Sequence, residues 1–288
     1  MSAVAVIGLG AMGGRVARRL VDARYEVVVW NRSPEKARDL VELGATTAPS
    51  PADAARRAET VITMVADPAA LRAVTEGPDG VATGVRDSAT VIDMSTVGPA
   101  AVTRLASVLP RGTTFLDAPV LGSLPEAESG SLTIFVGGDA ADLERSAELL
   151  RVLGSPLHMG PLGAGAAAKL IANVTLFGVL DIIGESVAAG DALGLSRNAL
   201  FEMLARTPVA AQAQRRRPAI ERNEYPTRFS LSLAKKDVDL LAEAATGVDL
   251  RVFAAARTWL TDAAAAGRGG QDYSAVLAQI IESNMRDR

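Results

Sequence analysis

The sequence predicts an α/β fold, in which a doubly wound parallel sheet is followed by an all-α domain that a long helix joins to it. Up to about residue 160, short β-branched and apolar runs alternate with alanine-rich helical segments. This alternation is typical of a mostly parallel sheet covered by helices. Beyond that point only helical patterns follow. We therefore predict two domains, 1–160 and 161–288.

The strands of the first domain are predicted from its apolar runs. These runs are Val4–Ile7, Val27–Trp30, Val61–Val65, Val91–Met94, Thr114–Asp117, Leu132–Val136 and Pro156–Met159. The helical segments between them lie at 34–43, 51–58, 68–75, 99–108 and 139–152.

The second domain begins with a predicted helix over 166–193 that is apolar on nearly every face. Such a helix is expected to be buried, either in a domain core or against a partner subunit. Further helices are predicted over 196–206, 209–224, 230–246, 252–266 and 274–283. Because these helices are too few to enclose the long one, we expect a homodimer or a higher homo-oligomer.

A glycine-rich turn follows the first predicted strand and opens the first helix. Its residues are Gly8, Leu9, Gly10, Ala11, Met12 and Gly13. The first glycine permits a tight turn, the second lets the backbone approach a pyrophosphate, and the third lets the helix pack against the strand. Free N–H groups at the helix N-terminus favour the phosphates. The turn therefore predicts a Rossmann-type dinucleotide site.

The end of the second predicted strand indicates which dinucleotide binds. An acidic residue there would hold the ribose 2′-hydroxyl of NAD. This chain has Asn31, Arg32 and Ser33 instead. A guanidinium with no competing carboxylate suits a 2′-phosphate, so we expect NADP(H).

Composition excludes several classes of function. The net charge of −3 gives no basic footprint for nucleic acid. Without cysteine, the chain has no disulfide, thiolate metal site or cysteine nucleophile, and its single histidine disfavours a histidine metal site or a serine–histidine triad. The uncharged stretch from Leu170 to Leu180 is too short to span about 30 Å of hydrocarbon. We expect a cytoplasmic protein with a small-molecule substrate, no metal and no membrane or nucleic-acid partner.

Lys169 and Asn173 lie four residues apart on the long helix, so they share one of its faces. A lysine among apolar neighbours requires a partner or a task. Near a nicotinamide, its ammonium would donate a proton to the alkoxide that forms as hydride reaches a carbonyl. Asn173 would orient the lysine or hold the substrate oxygen.

With these residues in place, the chain resembles the β-hydroxyacid dehydrogenase family, which includes 3-hydroxyisobutyrate dehydrogenases, tartronate semialdehyde reductases and glyoxylate/succinic semialdehyde reductases. Motifs in the family's order carry the resemblance across nearly the whole chain. They are the glycine turn at 8–13, the segment Asp117–Ser123, the run Gly163–Gly165 leading to Lys169 and Asn173, and the pair Lys236 and Asp237.

The resemblance implies roles for individual residues. Lys169 is then the catalytic acid/base and Asn173 its helper. Thr96 lines the nicotinamide site, and the backbone of Met64 and Val65 contacts the adenosine-side ribose. Lys236 reaches the cofactor, while Phe229 and Asp237 close the active site. The family fold joins a Rossmann domain to an all-α domain by a long helix, usually in dimers or tetramers.

The chain departs from the family pattern at the substrate motif. Leu121 replaces the serine that normally binds the substrate carboxylate, leaving Gly122 and Ser123 to offer N–H groups and a hydroxyl. The segment from Leu121 to Glu126 also looks like that of imine reductases, which generally lack a lysine at the position of Lys169.

The leading hypothesis is an NADPH-dependent reductase of a small carbonyl compound. The alternatives are an imine reductase and, from another class, a non-catalytic dinucleotide-binding scaffold or sensor.

Three other features are expected to be structural. His158 is predicted to be a satisfied residue at a strand end. Arg215–Arg217 is predicted to be a solvated helix face, with the alternative that one of these arginines meets a substrate anion in place of the missing serine. Asp181 and Glu185 are predicted to pair with arginines across helices.

Overall fold

The computed structural model describes residues 3–285. The chain divides into two compact units, Met1–Leu170 and Ile171–Arg288, and the division falls inside the long helix. The first unit is the Rossmann-like sheet with its helices, and the second is helical. The predicted fold class is confirmed.

The first unit contains a mixed, mostly parallel sheet. Its strands are β1 (Ala3–Ile7), β2 (Glu26–Trp30), β3 (Thr46–Thr47), β4 (Thr60–Thr63), β5 (Thr90–Asp93), β6 (Thr114–Asp117), β7 (Val120–Leu121), β8 (Leu132–Gly137) and β9 (Gly154–Gly160). The parallel part has the order β3-β2-β1-β4-β5-β6. β8 runs antiparallel to β6 and β7, and β9 pairs in parallel with β8.

The helices follow the predicted segments closely. They are α1 (Gly13–Asp22), α2 (Arg38–Glu42), α3 (Pro51–Arg56), α4 (Pro68–Thr75), α5 (Val81–Gly84), α6 (Gly98–Val108), α7 (Leu124–Ser129), α8 (Ala140–Leu153), α9 (Ala164–Ala192), α10 (Arg197–Leu204), α11 (Ala210–Arg222), α12 (Leu231–Ala244), α13 (Arg251–Ala263) and α14 (Val276–Met285). The predicted helix over 34–43 is a 3₁₀ turn followed by α2. The elements β3, β7, α5 and α7, each at most six residues long, were not predicted.

The sequence of the first βαβ unit explains its structure. β1 is a continuous apolar run because both faces of a central parallel strand are covered. In α1, Val16, Ala17 and Leu20 fall on one helical face and are buried.

The strand register brings the functional loops together. Ile7 is paired with Trp30 and Thr63, and Asp93 is paired with Thr63 and Asp117. The carboxyl ends of β1, β2, β4, β5 and β6 therefore meet at one edge. In open parallel sheets this is the edge where ligands bind.

The long helix α9 is less buried than its composition predicts. Ile171 and Ile182 are each 51% exposed, so one stripe of the helix is not covered within this chain, and its burial against a partner subunit stays a prediction. Within residues 3–285, α9 is the helix that is long and apolar enough to cross a membrane by length and composition. The core helix of a soluble protein meets the same criterion, so length and composition alone are weak evidence for a membrane span.

Among residues 3–285, the acidic pair of α9 does not have the predicted arginine partners. Glu185 accepts a hydrogen bond from the indole N–H of Trp259 at 3.0 Å. Asp181 is buried, and neither of its carboxylate oxygens has a hydrogen-bond partner among the described residues. Burial, and then the charge of Glu185, raise the pKa of Asp181 to about 7. By contrast, a ring nitrogen of His158 is hydrogen-bonded to the carbonyl oxygen of Gly138 at 2.9 Å.

The raised pKa of Asp181 predicts a pH-dependent gain in stability on removing its charge. Between the unfolded pKa of about 3.9 and the folded value of about 7, the native state holds the extra proton, so stability falls as pH rises. Asp181→Asn should increase the free energy of unfolding by about 1–3 kcal/mol at pH 8 and by much less at pH 5. Denaturant titrations at both pH values measure this difference. Asp262→Asn, at an exposed position on α13, is the control; an equal effect of Asp181→Asn at both pH values would contradict the prediction.

Candidate active site

The glycine turn between β1 and α1 is closely packed at two of its glycines. Gly8 has a φ of +101°, in the left-handed region that favours glycine. A Cβ at Gly8 would lie 2.4 Å from the carbonyl oxygen of Met64, and one at Gly13 would lie 2.0 Å from that of Gly8. The predicted roles of the first and third glycines, in turning and in close packing, agree with this geometry.

The middle glycine faces open space. A Cβ at Gly10 would meet no atom within 4 Å. The helix α1 that follows has no side-chain cap at Met12 and no acidic residue in its first turn. An open approach to a helix N-terminus suits the pyrophosphate of a dinucleotide.

Asn31 supports this turn from the end of β2. Its side-chain oxygen accepts a hydrogen bond from the N–H of Leu9 at 2.8 Å, and its amide donates to the carbonyl oxygen of Ser33 at 3.0 Å. Arg32 lies exposed between these two contacts. Asn31 thus connects the glycine turn to the segment where the ribose specificity residue is expected.

The loops after β4 and β5 are linked by a buried carboxylate. Asp93 accepts hydrogen bonds from the hydroxyl of Thr63 at 2.7 Å and from the N–H of Ser95 at 3.2 Å. The hydroxyl of Ser95 accepts from the N–H of Val65 at 3.0 Å. Burial raises the pKa of Asp93 to about 6. This network fixes the loops that carry the predicted cofactor residues Met64, Val65 and Thr96.

A second buried carboxylate links β6 to the start of α9. Asp117 accepts hydrogen bonds from the N–H groups of Gly163 at 2.7 Å and Ala166 at 2.6 Å. Burial raises the pKa of Asp117, although these backbone hydrogen bonds oppose the shift. A carboxylate at a helix N-terminus is stabilised by the free N–H groups and the helix dipole. Asp117 thereby fixes the first turn of the helix on which Lys169 lies, buried at 8% exposure.

The predicted substrate loop has fewer free donors than its sequence suggests. The N–H of Ser123 donates to a carboxylate oxygen of Glu126 at 2.7 Å, and the two residues form the capping box of α7. Leu121 is 38% exposed at the end of β7. The Ser123 N–H is therefore already occupied, while Leu121 presents an apolar surface.

In the helical unit, Asn173, Asp237 and Lys236 form a polar cluster that contains one hydrogen bond and one ion pair. The side-chain amide of Asn173 donates to one oxygen of Asp237 at 2.6 Å, and the ammonium of Lys236 lies 3.0 Å from the other. Asp237 and Asn173 are buried. Since Asn173 is four residues after Lys169 on α9, the two share a face of this helix.

Phe229, the remaining predicted residue of this unit, belongs to an aromatic cluster. Its ring centroid lies 6.5 Å from that of Phe177 and 5.5 Å from that of Tyr273. Phe177 is one turn beyond Asn173 on α9.

Sequence reasoning did not identify Asp93, Phe177, Asp272 or Tyr273. Asp93 lies at a strand end, and Phe177 lies on the face of α9 that carries Asn173. The predicted elements could have identified both positions. Asp272 caps the turn that contains Ser274, which is a local signal. Its contacts with Arg228 and Phe229, and that of Tyr273 with Arg216, span more than 40 residues and carry none.

Comparisons with known proteins agree with this arrangement. The model of the NAD binding domain of 6-phosphogluconate dehydrogenase matches residues 3–167. That of the NAD-binding domain of NADP-dependent 3-hydroxyisobutyrate dehydrogenase matches residues 163–280. The chain is 34% identical to the 3-sulfolactaldehyde reductase of Escherichia coli, over 97% of this chain and 96% of the relative. It is 32% identical to glyoxylate/succinic semialdehyde reductase 1 of Arabidopsis thaliana, over 96% and 98%.

Solved structures give the same result. The 3-hydroxyisobutyrate dehydrogenase of Mycobacterium tuberculosis, solved with L-serine, matches with a TM-score of 0.87 and 28% identity, over 97% of this chain and 99% of that one. An imine reductase from Pseudomonas sp. matches with a TM-score of 0.61 and 23% identity, over 97% of this chain and 99% of that one, a likeness of fold alone.

A further relative by sequence is the NAD-dependent L-serine dehydrogenase of Pseudomonas aeruginosa, which is 33% identical over 85% of this chain and 86% of its own length.

The glycine turn predicts opposite effects for two similar substitutions. Gly10→Ala should leave the free energy of unfolding within about 0.5 kcal/mol of the wild type, because its Cβ meets no atom. It should still weaken dinucleotide binding about tenfold or more, since it obstructs the pyrophosphate approach. Gly13→Ala should destabilise the fold by about 2–4 kcal/mol, because its Cβ collides with backbone. Thermal denaturation and NAD(P)H titration separate the two effects; equal destabilisation by both would contradict this prediction.

Proposed function

The chain belongs to the β-hydroxyacid dehydrogenase family of NAD(P)-dependent oxidoreductases that act on CH–OH groups, and we propose that it reduces a small carbonyl compound with NADPH, using Lys169 as the proton donor. One observation carries the proposal: Lys169 and Asn173 are both buried on one helix, and Asn173 is held by Asp237 at 2.6 Å. A non-catalytic scaffold has no use for a buried lysine at this position.

The proposed chemistry assigns a task to each polar group. Bound NADPH supplies the hydride. Lys169 donates a proton to the carbonyl oxygen as negative charge develops on it, and general acid catalysis of this kind contributes about 10²–10⁴-fold. Asp237 orients the side-chain amide of Asn173 by accepting a hydrogen bond from its N–H group. The amide oxygen of Asn173 is an acceptor, so its task would be to accept from the ammonium of Lys169 or from a substrate hydroxyl.

The choice of NADPH rests on Arg32. The position after β2 that would be acidic in an NAD site holds Asn31 instead, and Asn31 is engaged with the glycine turn. The guanidinium of Arg32 lies exposed beside it and suits a 2′-phosphate.

The choice of substrate rests on Leu121. An apolar side chain at this position supplies no hydrogen bond to a carboxylate and disfavours an anion held beside it. We therefore propose a bulkier and less charged carbonyl compound than 3-hydroxyisobutyrate or tartronate semialdehyde. Reduction of an imine is the second candidate, favoured by the Leu121–Glu126 segment. Assays with aldehydes, keto acids and cyclic imines distinguish the two.

We also retain the proposal of a cytoplasmic homodimer or higher homo-oligomer. The oligomer is supported by the exposed apolar residues Ile171 and Ile182 on α9, which a second copy of the chain would cover.

Replacing Lys169 by methionine tests the proton donor. Lys169→Met keeps the length and apolar packing of the side chain and should lower turnover by about 10²–10⁴-fold. The affinity for NADPH should be largely retained, because the phosphates and adenine bind elsewhere. The control is Lys235→Met, which removes an ammonium paired with Asp239 on α12. A rate above one tenth of the wild type in Lys169→Met would assign the proton to another residue.

Replacing Arg32 by alanine tests the cofactor. A charge-assisted contact to a phosphate contributes about 1.5–3 kcal/mol, so Arg32→Ala should weaken NADPH binding by about 10–100-fold. NADH binding should be nearly unchanged, and Arg38→Ala on α2 should affect neither cofactor. Fluorescence titration gives the dissociation constants; a wild type that binds NADH more tightly than NADPH would refute the assignment.

Restoring a serine at position 121 tests the substrate class. A hydroxyl that donates to a carboxylate contributes about 1.5–3 kcal/mol. Leu121→Ser should therefore raise kcat/KM for a small semialdehyde acid, relative to a neutral aldehyde of similar size, by up to about 10–100-fold. If the wild type reduces glyoxylate or succinic semialdehyde efficiently and Leu121→Ser brings no improvement, another group anchors the carboxylate.

A further inference from the structure

We propose that Arg216 and Asp272 are positioning residues, an ion pair that holds Phe229 in place and thereby sets the substrate selectivity of the enzyme. The proposal rests on the proposed function for its kinetic consequence, because Phe229 is the residue expected to close the active site. Its structural basis lies entirely within the helical unit.

Asp272 binds the backbone of the segment that carries Phe229. One of its carboxylate oxygens accepts hydrogen bonds from the N–H groups of Arg228 at 3.1 Å and Phe229 at 3.3 Å. The other accepts from the N–H and the hydroxyl of Ser274 at 3.2 and 2.6 Å. The carboxylate is nearly inaccessible to solvent. It therefore joins two segments that are more than 40 residues apart in the chain.

The residue after Asp272 completes this attachment. The N–H of Tyr273 donates to the carbonyl oxygen of Phe229 at 2.8 Å. Ser230 and Asp272 form an isolated antiparallel bridge, and the N–H of Leu231 donates to the carbonyl oxygen of Gln271 at 2.9 Å. The backbone of Phe229 is thus held at its N–H and at its carbonyl oxygen.

Arg216, on α11, contacts both Asp272 and Tyr273. Its side chain is only 12% exposed, and its guanidinium lies 3.8 Å from the carboxylate of Asp272. It also donates a hydrogen bond to the hydroxyl of Tyr273 and lies 4.9 Å from the centroid of that ring. The prediction of a solvated arginine face is therefore wrong at Arg216, because its partners come from a distant segment.

The ring of Phe229 is held through the same groups. Tyr273 packs tilted against Phe229 and edge-on against Phe177, with centroid distances of 5.5 and 5.8 Å. Because Arg216 fixes the hydroxyl of Tyr273, it fixes the ring that supports Phe229. Phe229 itself is half-buried.

A buried charge pair suits such a task. Residues 223–230 form the connection between α11 and α12, and short-range secondary structure does not fix them. Loops of this kind open at low free-energy cost unless specific bonds hold them. Removing one member of a buried pair leaves the other uncompensated, so both charges are needed to keep one geometry.

Amide hydrogen exchange tests the positioning without substrate or cofactor. We expect Asp272→Asn and Arg216→Met to lower the protection of the Arg228 and Phe229 amides at least tenfold. Arg216→Lys, which keeps the charge, should lower it less. The matched control is Arg217→Met, since Arg217 is also on α11, pairs with Glu221 at 2.6 Å and stacks on Phe201. Unchanged protection in Asp272→Asn and Arg216→Met, or an equal loss in Arg217→Met, would overturn the proposal.

Kinetics test the consequence for selectivity. In Arg216→Met, KM for a bulky neutral aldehyde should rise about tenfold, with a smaller change in kcat and an unchanged dissociation constant for NADPH. In the Phe229→Leu background, Arg216→Met should add little, because the ring that it positions is absent. If the effects of Phe229→Leu and Arg216→Met on KM are additive, or if Arg217→Met raises KM equally, the role of Arg216 in selectivity is overturned. Absence of turnover with every carbonyl and imine in the wild type would refute the proposed function, whereas the exchange result would still decide the positioning.

Discussion

The carboxylate of Asp117 connects the sheet to the helix that carries the proposed proton donor. It accepts two backbone N–H groups at the start of α9, at 2.6 and 2.7 Å, and it stands at the carboxyl end of β6. Because a helix is stiff, fixing its first turn also fixes the direction of the side chains in the next turn, including Lys169. The placement of the lysine therefore depends on a residue that takes no part in proton transfer.

The same edge of the sheet organises the dinucleotide turn. Since Ile7, Trp30 and Thr63 are in register, the glycine turn, Asn31 and Met64 are adjacent without any long connection. The close packing of Gly8 on Met64, and of Gly13 on Gly8, leaves no space for a side chain. Gly10 is different, because its surroundings are open, and we expect its constraint to come from the bound ligand. Three glycines of one motif thus serve two physical purposes, backbone packing and ligand access.

The sequence was informative wherever the relevant partners are local. The βαβ unit and the strand runs depend on spacing within a few turns, and the fold confirms their prediction from pattern. The Lys169–Asn173 pair was predicted from the same kind of local spacing. Arg216 and Asp181 show the limit. Three consecutive arginines look alike in sequence, yet only tertiary structure places Asp272 and Tyr273 beside Arg216. Likewise, the expected arginine partners of Asp181 are absent among the described residues, because no basic side chain from the packed helices reaches its oxygens.

The buried aspartates explain how the site loops are held. A carboxylate withdrawn from water requires donors to offset the lost hydration. Asp93, Asp117 and Asp272 obtain them from backbone N–H groups of segments next to Thr96, Lys169 and Phe229. The need of each carboxylate for donors is therefore what fixes each functional segment. Asp181 has no such donors, and its pKa rises to about 7 as a result of burial and of Glu185. Burial raises the pKa of Asp93 and Asp117 as well, so their donors offset only part of the lost hydration. At Asp181 no hydrogen-bond donor among the described residues offsets it.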